Sequence, residues 1–279
     1  MQDLRVTLVQ SMLHWEDADA NRAMFAQKFL PLKGATDLIV LPEMFTTGFS
    51  MRVELAEAMD GPTVQWMKEQ AGMLDAAIFG SLIIREGHKV YNRGVFVTPD
   101  GRVEHYDKRH LFRMAEEYRH YTCGTRRVVV EWRDWRLLLQ ICYDLRFPVF
   151  SRNREDYDAI LYVANWPELR RYPWSQLLIA RAIENQSYVI GVNRVGMDAM
   201  GHHYSGDSAS VDPRGDADEM EPSKEGMLQT VLHRLALDDF RSKFPVGLDA
   251  DPFELKGFSA APGSGRSGSV PCPSYHPRR

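Results

Sequence analysis

The apolar positions of the chain fall into short blocks with two different periods. Leu4 to Gln10, LRVTLVQ, alternates apolar and polar residues and predicts a strand. In Asp17–Leu30 the residues Ala20, Met24, Ala26 and Phe29 suggest a moderately amphipathic helix, closed by Pro31 and Gly34. Leu38 to Leu41 is apolar throughout, as in a strand covered on both faces, and Pro42 stops its hydrogen-bond ladder. Glu43 therefore sits just past the end of a buried strand. Thr63–Leu74 predicts a helix with Pro62 near its first turn, and Ala76–Ile84 another buried strand. Residues 89–108 predict two strands around Pro99-Asp100-Gly101. Arg126–Glu131 and Trp135–Ile141 predict a hairpin around Arg133-Asp134, and its second strand delivers Cys142 at its end. A strand over Ala159–Asn165, a helix over Ser175–Gln186, a strand over 187–196, and strand and turn over 203–216 follow. Met227–Leu232 is a last strand, with a short helix near Leu235–Lys243. Strands alternating with helices, many of them apolar on both faces, predict a layered α/β fold.

Composition narrows the class. The 279 residues hold 34 Lys+Arg against 38 Asp+Glu, a formal net charge of −4, with 44 % hydrophobic and 26 % charged residues. These are globular values and exclude collagen-like or low-complexity chains. The mild acidity argues against a nucleic-acid binder, which usually carries a basic face. No apolar run approaches the roughly 20 residues of a membrane span. The start, MQDLRVTLVQ, lacks the pattern of a secretory signal. Cys123, Cys142 and Cys272 are too few for a disulfide framework, so a soluble protein of a reducing compartment, the cytoplasm, is expected. From Ser259 onward the composition is that of a flexible tail, which is expected to be mobile or to reach onto a partner subunit. Its GSGRSG matches a dinucleotide-binding spacing, but no strand precedes it and no helix follows.

Three residues offer chemistry. A lone Cys is most often a small buried hydrophobe. Cys142 instead ends an apolar strand beside Tyr143, Asp144 and Arg146, and strand ends of α/β sheets are where crevices open. Glu43 has the bland reading of a loop carboxylate, yet its place at a rigid strand end in apolar company suits a general base. Lys108, in VEHYDKRHLF, is not distinguished by its own segment from Arg109 or His110. Glu116 and Glu117 could equally form a solvated helix face. His202-His203 lacks the surrounding ligands of a zinc site, so no metal is expected.

LPEMF around Glu43, YDKRHLF around Lys108 and ICYDLRFP around Cys142 together resemble the carbon–nitrogen hydrolase (nitrilase) superfamily, defined by Glu, Lys and Cys in this order on three strand ends. The spacings are 65 and 34 residues. YNRGVFVTPDG, the Glu117–Gly124 segment, ARAIENQSYVIGVNRVG and GDSASVDPRG extend the likeness from Leu4 to about Phe253. LPEMFTTGFSM and ANWP further resemble the omega-amidase branch, whose substrates are 2-oxoglutaramate and 2-oxosuccinamate.

The resemblance implies a four-layer αββα sandwich in one hydrolase domain, 1–258, with 259–279 as the tail. It also implies a homodimer or larger homo-oligomer, a small-molecule amide substrate and no cofactor. Cys142 would attack the amide carbon as a thiolate that Lys108 favours, with Glu43 shuttling the proton. Lys108 and the Tyr143 backbone N–H would hold the oxyanion, and Glu117 would orient Lys108 or the amide. A substrate carboxylate calls for a fixed cation, with Arg146, Arg113, Arg170 and Arg171 as candidates, Arg146 being alternatively a structural ion-pair partner; Trp166 and Phe45 would wall the pocket or be core aromatics. The rival readings are a hydrolase of the same superfamily for nitriles, N-carbamoyl amines or aliphatic amides, a glutaminase domain, a catalytically silent interaction module, and a metallohydrolase using His202 and His203.

Overall fold

The computed structural model describes residues 2–255; the tail expected from Ser259 onward, with Cys272, lies outside the described residues. In chain order the first strands are β1 (Leu4–Gln10), β2 (Leu38–Val40), β3 (Ala77–Glu86), β4 (Lys89–Val97) and β5 (Val103–Asp107). Next come β6 (Val129–Trp132), β7 (Trp135–Ile141), β8 (Ala159–Ala164) and β9 (Tyr188–Asn193). The last are β10 (Val195–Met197), β11 (His203–Ser205), β12 (Ala209–Val211), β13 (Ala217–Glu219) and β14 (Gly226–Leu232). The helices are α1 (Ala18–Phe29), α2 (Pro62–Leu74), α3 (Pro148–Ser151), α4 (Arg171–Asn185) and α5 (Arg234–Lys243).

Two six-stranded sheets, β14-β1-β2-β3-β4-β5 and β13-β12-β9-β8-β7-β6, share one apolar core. Leu8, Val40 and Phe79 of the first meet Leu139, Ile141 and Val163 of the second. On the outer face of the first sheet, Val9, Ile39 and Ile78 pack against Phe25 of α1 and Met67 and Ala71 of α2. On the outer face of the second, Leu178 and Trp174 of α4 close over Gly191, where a Cβ would lie 2.5 Å from Leu178 Cδ1. The result is the expected αββα stack. The runs that read as apolar on both faces are the central strands: β1, β2 and β3 are mutually parallel, as are β7, β8 and β9.

The structure departs from the sequence pattern in several places. The strand expected over 187–196 breaks after Asn193, whose side chain accepts from Trp166 N at 2.8 Å and donates to Gly206 O at 2.9 Å. That side chain offers the backbone an alternative to the ladder, and β10 leaves to pair with β11 in a separate ribbon. Helix α4 begins at Arg171, not Ser175, because Pro173 is tolerated in a first turn. Strand β13 was not anticipated; it is three residues long and mostly exposed. No described helix is long and apolar enough to cross a membrane.

Candidate active site

Three strand ends converge between the sheets. After β2, Leu41 N still donates to Phe79 O at 2.8 Å, Pro42 ends the ladder, and Glu43 follows fully buried. Met44 takes φ +44°, and its N–H donates to Ser81 Oγ at 2.8 Å. After β5, Lys108 is pinned through its main chain: its N–H donates to Asn92 O and its carbonyl accepts from Gly124 N, both at 2.9 Å. Gly124 must be glycine, since a Cβ there would lie 2.0 Å from Asp107 O. After β7, Cys142 has φ +47° and opens a turn of 3-10 helix, Cys142–Arg146. A non-glycine residue in the left-handed region costs about 1–3 kcal/mol, and such residues cluster at functional sites.

The side chains then meet. Lys108 Nζ donates to Glu43 Oε1 at 2.8 Å and to Glu117 at 3.1 and 3.0 Å. Asn92 Nδ2 donates to Glu43 Oε1 at 2.7 Å and Glu117 Oε1 at 3.1 Å, and Ser81 Oγ fixes its Oδ1 at 2.9 Å. Asn165 N donates to Glu43 Oε2 at 2.8 Å, and Asn165 Nδ2 to the Glu43 carbonyl. The Cys142 thiol points to Asn165 O at 4.0 Å, which sets the sulfur beside the Glu43 carboxylate that Asn165 N also holds. Glu43, Lys108, Glu117 and Cys142 are thus one contiguous cluster, as expected from the sequence.

Burial and charge set the protonation of the cluster. Burial alone would lower the Lys108 pKa, but the Glu117 and Glu43 carboxylates outweigh it and hold the ammonium well above its usual value. Burial raises the Glu117 carboxyl, with Lys108 pulling the other way. Burial, then the Glu43 charge, push the Cys142 thiol well up, and Lys108 does not overcome them. Lys108 does favour the thiolate, as expected, but it is shared between two carboxylates, and burial with the Glu43 charge outweighs it. What the arrangement offers is a thiol proton with a carboxylate close by, on the far side of Asn165 N.

Cys142 and Asn165 open onto a cavity of about 660 Å³ walled by Phe49, Phe112, Tyr143 and Trp166. Arg146 lines it with its guanidinium 5.0 Å over the Trp166 ring, and makes no ion pair among the described residues. Arg170 also lines it, over the Phe112 ring at 5.6 Å. Arg171 is instead tied to Asp207 at 2.5 Å, and Arg113 lies over Tyr118, away from the cavity wall. Phe45 is a correction. The left-handed turn at Met44 sends its ring back under Gly80, where it packs edge-on to Phe25. Phe49 takes the cavity place expected for it. Asn92, Asn165 and Ser81 have no role assigned from the sequence; only Ser81, a polar residue inside the apolar run Ala77–Ile84, carries a signal that could have found it. Among the described residues no group of three or more His, Cys, Asp or Glu could hold a metal, and the His202 side chain is 57 % exposed.

The comparisons agree with this geometry. The family model described as carbon-nitrogen hydrolase matches residues 5–235. The omega-amidase YafV of Escherichia coli K12 is 48 % identical over 259 residues, covering 91 % of this chain and all of that one. The 2-oxoglutaramate amidase of Bacillus subtilis is 33 % identical over 75 % of this chain and 83 % of its own. The crystal structure of XC1258 from Xanthomonas campestris, a CN-hydrolase superfamily protein with an arsenic adduct in the active site, superposes with a TM-score of 0.90. It is 48 % identical over 91 % of this chain and all of that one. With three strand ends meeting on a buried Glu, Lys and Cys, and a family match that spans most of its length, this chain belongs to the carbon–nitrogen hydrolase family.

Proposed function

We propose that the protein is an omega-amidase: it hydrolyses the terminal amide of small oxo-dicarboxylic acid monoamides, such as 2-oxoglutaramate, to the acid and ammonia. The observation behind the chemistry is the buried contact of Lys108 with Glu43, with the Cys142 thiol beside them through Asn165, whose carbonyl faces the sulfur and whose N–H holds Glu43. The relatives named omega-amidase and 2-oxoglutaramate amidase support the substrate class.

In the first half-reaction the Cys142 thiol gives its proton to Glu43 as sulfur bonds to the amide carbon. The carbonyl π electrons move to oxygen, and Lys108 Nζ and the Tyr143 backbone N–H hold the oxyanion. One such donor is worth on the order of 10²–10³ in rate. The tetrahedral species collapses, the C–N bond breaks, and Glu43 returns the proton to the departing ammonia. In the second half-reaction Glu43 takes a proton from water as the hydroxyl attacks the thioester. Collapse releases the acid, and the proton goes to sulfur. Glu117 keeps Lys108 charged and aimed through its two contacts. Arg146, unpaired by any described carboxylate, grips the far carboxylate of the substrate, and Trp166 supports its guanidinium plane.

We also place one domain over 1–258, because β14 pairs with β1 and the ends of the described chain cannot be separated. Steady-state kinetics over 2-oxoglutaramate, 2-oxosuccinamate, an aliphatic amide, a nitrile and an N-carbamoyl amine test the assignment. The two oxo-dicarboxylic monoamides are expected to give the highest kcat/KM; preference for a nitrile or a carbamoyl compound would overturn it.

A further inference from the structure

Directly behind the reacting groups, one carboxylate that takes no part in the proposed steps joins the two sheets. Asp144, two residues past Cys142, is fully buried. Its Oδ2 accepts from the Tyr106 hydroxyl at 2.8 Å and from Ile141 N at 3.0 Å. Its Oδ1 accepts from His110 N at 3.0 Å and lies 2.7 Å from His110 Nδ1. The Tyr106 hydroxyl in turn accepts from Arg109 N at 3.1 Å, so residues 106–110 curl around this carboxylate. The His110 ring is held there by Phe147, stacked at 3.8 Å, and by Phe150, edge-on at 5.3 Å.

The placement of these bonds matters more than their number. Tyr106 and His110 stand two residues on either side of Lys108, at the end of β5 in the first sheet. Ile141 and Asp144 bracket Cys142, at the end of β7 in the second. The ammonium and the sulfur come from different sheets, and their relative position is set where those sheets are tied. Asn165 ties the Glu43 end to the second sheet; Asp144 ties the Lys108 end. The Asp144 bond to Ile141 N also fixes the entry to the left-handed conformation of Cys142.

We propose that Asp144 is a positioning residue for the reaction: its carboxylate clamps the Lys108 strand end against the Cys142 turn, and so sets the distance at which the ammonium meets the oxyanion. The inference rests on the roles given above to Lys108 and Cys142. Asp144→Asn keeps the side-chain size but replaces one acceptor oxygen by a donor, so at least one buried donor loses its partner. A displacement of the order of 1 Å at a reacting group costs about 10²-fold in rate. Substrate affinity should hardly change, since Arg146 and the aromatic walls are untouched.

The test is single-turnover thioester formation with 2-oxoglutaramate, read beside KM and the melting temperature, for Asp144→Asn, Tyr106→Phe and the double variant. Acylation is expected to fall on the order of 10²-fold in Asp144→Asn and about tenfold in Tyr106→Phe, with KM within about threefold of the parent. The double variant should be no slower than Asp144→Asn, because both changes remove one contact. Parent-like acylation in folded Asp144→Asn overturns the proposal, and so does a loss confined to melting temperature or to KM. Should Asp144→Asn not fold, Tyr106→Phe decides by itself: unchanged acylation in that variant is contrary to the clamp. Failure of the underlying reading would show separately, as turnover by Cys142→Ala.

Discussion

Lys108 is one ammonium between two carboxylates, with no exposed surface, and the reactivity of the sulfur follows from that arrangement. An unshared ammonium beside a thiol would produce a standing thiolate. Here the cation is held by Glu43 and Glu117, and the Cys142 thiol stays protonated until a carboxylate takes its proton. Raising a thiol pKa lowers its thiolate fraction at neutral pH. Alkylation of the free enzyme by iodoacetamide should therefore be slower than that of a free cysteine at pH near 7, and should climb with pH through the alkaline range. Fast labelling independent of pH would contradict the protonated resting state. Arg146 is tested by charge: Arg146→Met should raise KM for 2-oxoglutaramate by about 10–100-fold, the worth of a charged hydrogen-bonded pair, and leave a neutral amide of similar length unaffected.

At the scale of elements, the site is made by chain leaving strands. The sequence already located those exits: an apolar run followed by Pro42 marks the Glu43 end, and the apolar run to Ile141 marks the Cys142 end. Lys108 was visible only through the resemblance, because β5 is short and half polar and its end has no apolar signature. Asn165 bonds Glu43 across 122 residues, and no local pattern encodes which polar residue of one sheet faces which of the other. Phe45 departs from what the resemblance implies for a related reason: the left-handed Met44, which no sequence pattern marks, turns the next side chain toward Gly80 and Phe25. The helix layer is fitted to the strands with little slack. Gly191→Ala on β9 would bring a Cβ within 2.5 Å of Leu178 on α4. It should lower stability by about 1–3 kcal/mol through overpacking, measured by denaturant unfolding.

At the scale of the molecule, the two ends of the second sheet have different duties. Asp158 stands just before β8 and Asn165 just after it, roughly 20 Å apart along the strand. Asp158 is bound by Arg136 at 2.8 Å, Arg234 at 3.0 Å and Arg241 at 3.1 Å, joining β7, β8 and α5. Burial would raise its carboxyl, but these arginines overcome that and hold it well below its usual 3.8. A depressed carboxylate pKa contributes stability above the unfolded value, lost as pH falls from about 4 through the folded value. Asp158→Asn should destabilise the fold at neutral pH by about 3 kcal/mol, flatten that acid dependence, and leave kcat near the parent value below its melting temperature. Parent-like acid sensitivity in the variant would remove Asp158 from that role.

The whole account turns on a covalent bond between substrate and one sulfur. Rapid-quench mass spectrometry during turnover of 2-oxoglutaramate reads it directly. The protein mass should rise by that of the acyl group after loss of ammonia, with the adduct on the peptide that contains Cys142 and none in Cys142→Ala. Turnover with no adduct at any quench time, accompanied by activity in Cys142→Ala, would contradict it.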